Sequence, residues 1–236
     1  MIRSISLNRS AIWSSDVKFI DPTDATQMLA DVQPTPDGGV IVSWVHTASF
    51  VDPRHLWAQR LSRDGQALWG TEDPASGMRQ PLVVFGDGTL QYGNFPPFVA
   101  DPSGGAVFAW YETDPVLQVR VQHVRADGTT VFPAGGALTT DPDPTAERVE
   151  PAMAYDPATD DIYVMWRNMY ESGPLDQWIY AQRFGADGRR AWGPMGIEIE
   201  PHGAHEVLQL EAEAFGGGVL FAYVEKLDFG NERVWI

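Results

Sequence analysis

Cysteine is absent from the chain, which removes disulfides and thiolate metal sites and leaves the redox compartment open. Lysine is almost absent: Lys18 and Lys226 stand alone among 16 Lys and Arg, against 32 Asp and Glu, for a formal net charge of −16. Displacing counterions from a phosphate backbone takes clustered cations, so this balance argues against nucleic acid and against anionic membrane surfaces. Acid excess suits a self-repelling, soluble surface instead. Long apolar runs are missing as well. Met1 to Arg9 hold no signal-peptide core, and no later segment has the ~20 apolar residues that a membrane-spanning helix needs, so no membrane insertion is expected.

What the chain does have is turn formers and aromatics. The 23 Gly and 18 Pro are spread along its length, which favours many short strands over helices. With 9 Trp, 11 Phe and 7 Tyr, it is too rich in core-forming residues to be disordered.

Four segments share one pattern. Its first marker is an apolar run closing on an aromatic: Gly38 to Trp44, Gly104 to Trp110, Ile162 to Trp166 and Gly217 to Tyr223, the aromatics lying 66, 56 and 57 residues apart. After each of the first three comes a strand centred on glutamine, at Gln59, Gln122 and Gln182. Then an Asp-Gly turn follows, Asp64-Gly65, Asp127-Gly128 and Asp187-Gly188, with Trp69, Phe132 or Trp192 five residues past the Asp. Asp-Gly is a strong hairpin signal because both residues tolerate the positive φ of tight turns. A further apolar stretch precedes each Gly-Gly marker, as at Phe98-Val99-Ala100, so each repeat holds four short strands.

Four antiparallel strands per repeat at this period predict an all-β chain, a β-propeller of four blades forming one domain over 1–236. The blades are expected near 28–75, 94–140, 149–200 and 207–236 plus 1–20. A sandwich or stacked β-array is the competing architecture. Trp13 sits in the register of Trp192, which aligns Met1 with Tyr180, while counting from Tyr223 aligns Ile236 with Ile179. The expectation is a ring closed by joining the termini in one sheet, removing open strand edges. The rival is an excerpt of a longer array with an unknown number of blades.

The run Trp57-Ala58-Gln59-Arg60, then Asp-Gly and Trp69, repeated at Tyr180 to Trp192, resembles the blade repeats of bacterial surface and secreted propeller proteins. Arg120-Val121-Gln122-His123 departs from that pattern, and Asn8-Arg9 replaces Asp-Gly. The resemblance implies a binding scaffold without fixed activity, in an extracellular, cell-surface or virion setting. Ser62 to Trp69 also looks like the Asp-box of sialidase-type propellers, a fold-stabilising hairpin, with Asp and Gly adjoining where the box has one residue between them.

Candidate chemistry is thin. His202 and His205 have a metal-ligand spacing only on a helix, and they lie in a glycine-containing loop. The acidic loops at Asp21 to Asp24, Asp141 to Asp143 and Asp156 to Asp161 could offer oxygen ligands to calcium but read as turns. Otherwise neither cofactor nor metal nor catalytic residue is expected. Glu211 and Glu213 stand two apart on an innermost strand and can share a channel-facing side. An insertion within Gly70 to Phe95 lengthens the first repeat and reads as an extra hairpin with a Gly86-Asp87-Gly88 tip. Phe85, Asp87 and Tyr92 there, with Phe50, Tyr170 and Trp178 near strand-connecting loops, are the candidate binding residues. The leading expectation is a non-enzymatic binding or structural module making protein contacts, a protein partner or self-assembly, in a bacterial surface, secreted or phage assembly. A carbohydrate-binding propeller is the alternative, and a glycoside hydrolase or lyase the third reading.

Overall fold

In the computed structural model, residues 21, 23–113, 116–170, 177–203 and 206–236 are described. Fifteen strands form four antiparallel sheets, with no helix among the described residues. Sheet 1 holds β1 (Thr26–Pro34), β2 (Val40–Thr47), β3 (His55–Leu61) and β4 (Leu82–Phe85) in sequence order. Sheet 2 holds β5 (Phe98–Ala100), β6 (Ala106–Glu112), β7 (Gln118–Val124) and β8 (Ala137–Leu138). Sheet 3 holds β9 (Ala146–Asp156), β10 (Asp161–Tyr170), β11 (Gln177–Phe184) and β12 (Ile197–Gly203). Sheet 4 has three strands, β13 (Glu206–Phe215), β14 (Gly218–Asp228) and β15 (Asn231–Trp235).

Alternation along each second strand explains the stacking. In β6, Ala106, Phe108 and Trp110 enter a core shared with sheet 1, while Val107 and Ala109 enter one shared with sheet 3. A third core joins sheets 3 and 4 through Met165, Ile179, Ala181, Val207 and Tyr223. Both faces of sheets 2 and 3 are therefore dry, and the arrangement is propeller-like. Among the described residues no such core joins sheet 4 to sheet 1, and all five residues of β15 are exposed.

The glutamine and aromatic markers are one device. Gln59, Gln122 and Gln182 are completely buried, and the Oε1 of each accepts the backbone N–H of Trp69, Phe132 or Trp192 at 2.9, 3.1 and 3.0 Å. The amide nitrogens of Gln59 and Gln122 donate back to the carbonyls of Trp69 and Phe132. Trp69 and Phe132 then each lie on the Asp-Gly turn of the next sheet. A Cβ on Gly128 would stand 3.2 Å from the Trp69 ring, and one on Gly188 3.2 Å from the Phe132 ring.

Three expectations change. The extra hairpin at Gly86-Asp87-Gly88 does not exist: Leu82–Phe85 is the outer strand of sheet 1, past the expected end near residue 75. The added residues lie earlier, where Glu72 pairs with Arg79 around a turn in which the Gly77 N–H donates to the Asp73 carbonyl. Leu82 follows Trp69 by 13 positions, whereas Ala137 follows Phe132, and Ile197 follows Trp192, by five. The register at the end of the chain also moves. Trp235 opposes Tyr223 as Tyr180 opposes Trp166, so Ile236 takes the place of Ala181 and not that of Ile179. The expected closing strands at 1–20 lie outside the described residues.

Candidate functional site

At the end of sheets 1 and 2 away from the Asp-Gly turns, two connections meet. The segment after β4 is tied to sheet 1 by Arg54, whose Nε donates to the Leu90 carbonyl at 3.0 Å and whose N–H donates to Thr89 Oγ1 at 2.9 Å. It is tied to sheet 2 by Asn94 Nδ2, which donates to the Tyr111 carbonyl at 3.0 Å, and by a bridge between Leu90 and Glu112. Held from both sides, this segment presents Tyr92 to solvent. Phe50, from the connection between β2 and β3, meets it edge to face at 5.7 Å and 71°, and the Arg54 guanidinium lies 5.6 Å from the Tyr92 ring centre. Phe50 and Tyr92 are 67% and 62% exposed, and Val51 and Phe95 are exposed as well. Exposed aromatic faces fixed by a neighbouring cation suit stacking on the apolar face of a sugar ring.

The ledge continues inward through Tyr111 to a strained bulge. The first strands of sheets 1, 3 and 4, β1, β9 and β13, each break register at a non-glycine residue of positive φ: Leu29 at 56°, Glu150 at 54° and Gln209 at 47°. Such residues cost on the order of 1 kcal/mol each and persist where the surroundings enforce them. Glu150 is held by Arg167, whose Nη2 donates to its Oε1 at 2.6 Å while Nη1 donates to the Val207 carbonyl at 2.8 Å. Tyr111 lies within their field: burial raises its phenol pKa, the Glu150 carboxylate adds to the rise and Arg167 opposes it. Glu150 and Arg167 thus act on the Tyr111 phenol across the seam between sheets 2 and 3.

Of the residues named from sequence, Phe50 and Tyr92 are brought together. Phe85, expected on an insertion, is instead core, 1% exposed and 5.3 Å from the Trp110 ring. Asp87 is exposed on the turn after β4, its carboxylate beside Gly135. Trp178 is half-buried on β11 opposite Asn168, away from the ledge residues in sequence and sheet. The Tyr170 and His202 side chains and His205 lie outside the described residues. Glu211 and Glu213 are exposed on β13, alternating with half-buried Leu210, Ala212 and Ala214. Glu150, Arg167 and Tyr111 carried no motif. Their meeting depends on cross-sheet register, although Glu150-Pro151 ahead of an apolar strand marks an irregular entry.

The acidic loops use their carboxylates within the chain. Asp21 Oδ1 accepts from the Thr23 N–H and hydroxyl, Asp143 Oδ1 from those of Thr145, and Asp156 Oδ1 from the Ala158 N–H. Among the described residues no three His, Asp or Glu side chains are arranged to hold a metal ion.

No family model and no curated protein matches the chain. Among solved structures, the chain is similar to the α-L-arabinofuranosidase of Fusarium graminearum in complex with arabinobiose, at 14% identity and a TM-score of 0.50, over 92% of this chain and 65% of that one. A second is an N-acetylgalactosamine deacetylase from F. plautii in complex with blood group B trisaccharide, at 10% identity and a TM-score of 0.43, over 88% and 66%. The chain thus spans just under two thirds of the length of either protein. At such identity the likeness to the arabinofuranosidase is one of fold. The expectation of a non-enzymatic module for protein contacts in a surface, secreted or phage assembly is corrected: the solved structure whose fold the chain shares is that of an arabinofuranosidase.

Proposed function

We propose that the chain is the sugar-engaging body of a carbohydrate-processing protein, with Phe50 and Tyr92 as its stacking surface. The observation that carries this reading is the exposed edge-to-face pair of Phe50 and Tyr92 pinned by Arg54, on a segment that is also tied to the Tyr111 carbonyl. A glycan that lies on Tyr92 and extends to Glu150 would meet a carboxylate able to take the proton of a water attacking the anomeric carbon, the departing oxygen being protonated by solvent. The shared fold with an arabinofuranosidase supports arabino-oligosaccharides as the first ligands to try. Incubating the chain with a panel of oligosaccharides and following new reducing ends tests it. The reading predicts turnover that Glu150→Gln removes while binding persists, and that Tyr92→Ala weakens through KM. Absence of both binding and turnover across the panel would overturn it.

The four sheets are read as blades of one propeller, with residues 1–20 supplying the missing outer strand of sheet 4. Because β15 already fills the third-strand place, the N-terminal segment adds the turn and the fourth strand. On this reading Trp13, which stands in the sequence register of Trp192, would serve as the marker aromatic of the closing sheet. Trp13→Ala should lower the unfolding midpoint, as should Trp69→Ala, whose indole is completely buried. An unchanged midpoint would refute this closure.

A further inference from the structure

Among the described residues, every half-buried arginine but one is held by a carboxylate. Arg60 pairs with Asp37, Arg120 with Glu112, Arg167 with Glu150, Arg183 with Asp161 and Arg190 with Asp141. In a chain with 32 acidic and 16 basic side chains, that is the expected fate of a guanidinium. The exception is Arg54, and it stands on the sugar ledge.

The chain uses only one corner of this guanidinium. Its Nε donates to the Leu90 carbonyl at 3.0 Å, which anchors the group, while among the described residues Nη1 and Nη2 have no hydrogen-bond partner and are not sealed from solvent. The neighbouring acids do not reach it. Asp52, two residues earlier in the same connection, makes no ion pair with it, and Glu112, which bridges Leu90, is taken by Arg120. The guanidinium carbon lies 5.6 Å from the Tyr92 ring centre, and Tyr92 meets Phe50 edge to face. A fork of N–H donors with nothing to bind thus stands beside two exposed aromatic rings.

We propose that the sugar engaged by this ledge is a hexuronate, whose carboxylate accepts from Nη1 and Nη2 of Arg54 while its ring lies on Tyr92. The inference rests on the reading of Phe50 and Tyr92 as a stacking surface and adds the charge of the ligand to it. A planar pair of oxygens matches the planar fork in a way that a neutral hydroxyl does not, and supplies the partner that every other half-buried arginine has. A ring stacked on an aromatic keeps its substituents at the rim, on the side where the guanidinium can meet them. The net charge of −16 repels anions at long range, but at physiological salt the screening length is about 8 Å, so the cation in contact outweighs distant carboxylates.

The test is calorimetric titration of the full chain at physiological salt with trigalacturonate and with its methyl ester, the same sugar without the charge. The acid should bind at least tenfold tighter than the ester. Arg54→Gln should bring the two affinities together, whereas a ledge merely loosened by loss of the Leu90 contact would weaken both ligands alike and keep their ratio. If that variant does not fold, added sodium chloride replaces it: it should weaken the acid and leave the ester unchanged. Equal affinities in the parent chain, a ratio that survives Arg54→Gln, or an acid indifferent to salt would overturn the proposal and leave the stacking surface standing. Binding of neither ligand would overturn it as well, and the oligosaccharide panel then reads the stacking surface separately.

Discussion

Replacing Gln122 by leucine strips four hydrogen bonds from the interior of sheet 2. Its Oε1 accepts from the N–H groups of Phe132 and His123, and its Nε2 donates to the carbonyls of Phe132 and Pro133. Because Gln122 is completely buried, the orphaned backbone groups cannot turn to water, and a loss of about 2–3 kcal/mol is expected from the shift in the urea midpoint. Acid acts on other side chains. The Asp37 carboxyl is held below the usual aspartate range, chiefly by the Thr35 hydroxyl, and that of Asp143 chiefly by the Thr145 hydroxyl. A folded-state pKa below the unfolded one gives stability that is complete above the unfolded value, near 4, and is lost as pH falls through the folded value. Stability measured from about pH 5 down to pH 2 should therefore fall less steeply in Asp37→Asn than in the parent chain. An equal slope would contradict the assignment.

Elements show what the repeat alone could tell. The hairpin turns and the second and third strands were legible because Gly-Gly, Gln and Asp-Gly each have a local physical task. The outer strand of sheet 1 was not. Gly86-Asp87-Gly88 carries the composition of a hairpin tip, but Leu82–Phe85 pairs with β3 and sends Phe85 inward, a choice made by tertiary packing. The bulges of β1, β9 and β13 were equally hidden, since Leu29, Glu150 and Gln209 have no side-chain type that announces positive φ. Glu150→Gly relieves that strain while removing an exposed ion pair with Arg167, two effects of opposite sign and each on the order of 1 kcal/mol or less. Its unfolding midpoint should stay close to that of the parent while carbohydrate turnover disappears. A large destabilisation would instead make the bulge a purely structural feature.

Across the whole molecule, buried apolar side chains gather at the seams between sheets, and the proposed sugar surface lies on connections between strands. The three buried cores each span two sheets, so the chain behaves as neighbours in a row, and one weakened seam should broaden the unfolding transition. Phe50 and Tyr92 were legible as loop aromatics, whereas the field of Glu150 and Arg167 on Tyr111 required the packing of sheet 3 on sheet 2. The most direct test of the account is calorimetric titration of the full chain with arabino-oligosaccharides, beside the Phe50→Ala/Tyr92→Ala double variant. Saturable binding in the parent chain, weakened at least tenfold in a variant of unchanged unfolding midpoint, is the predicted result. Equal binding by the two proteins would contradict it.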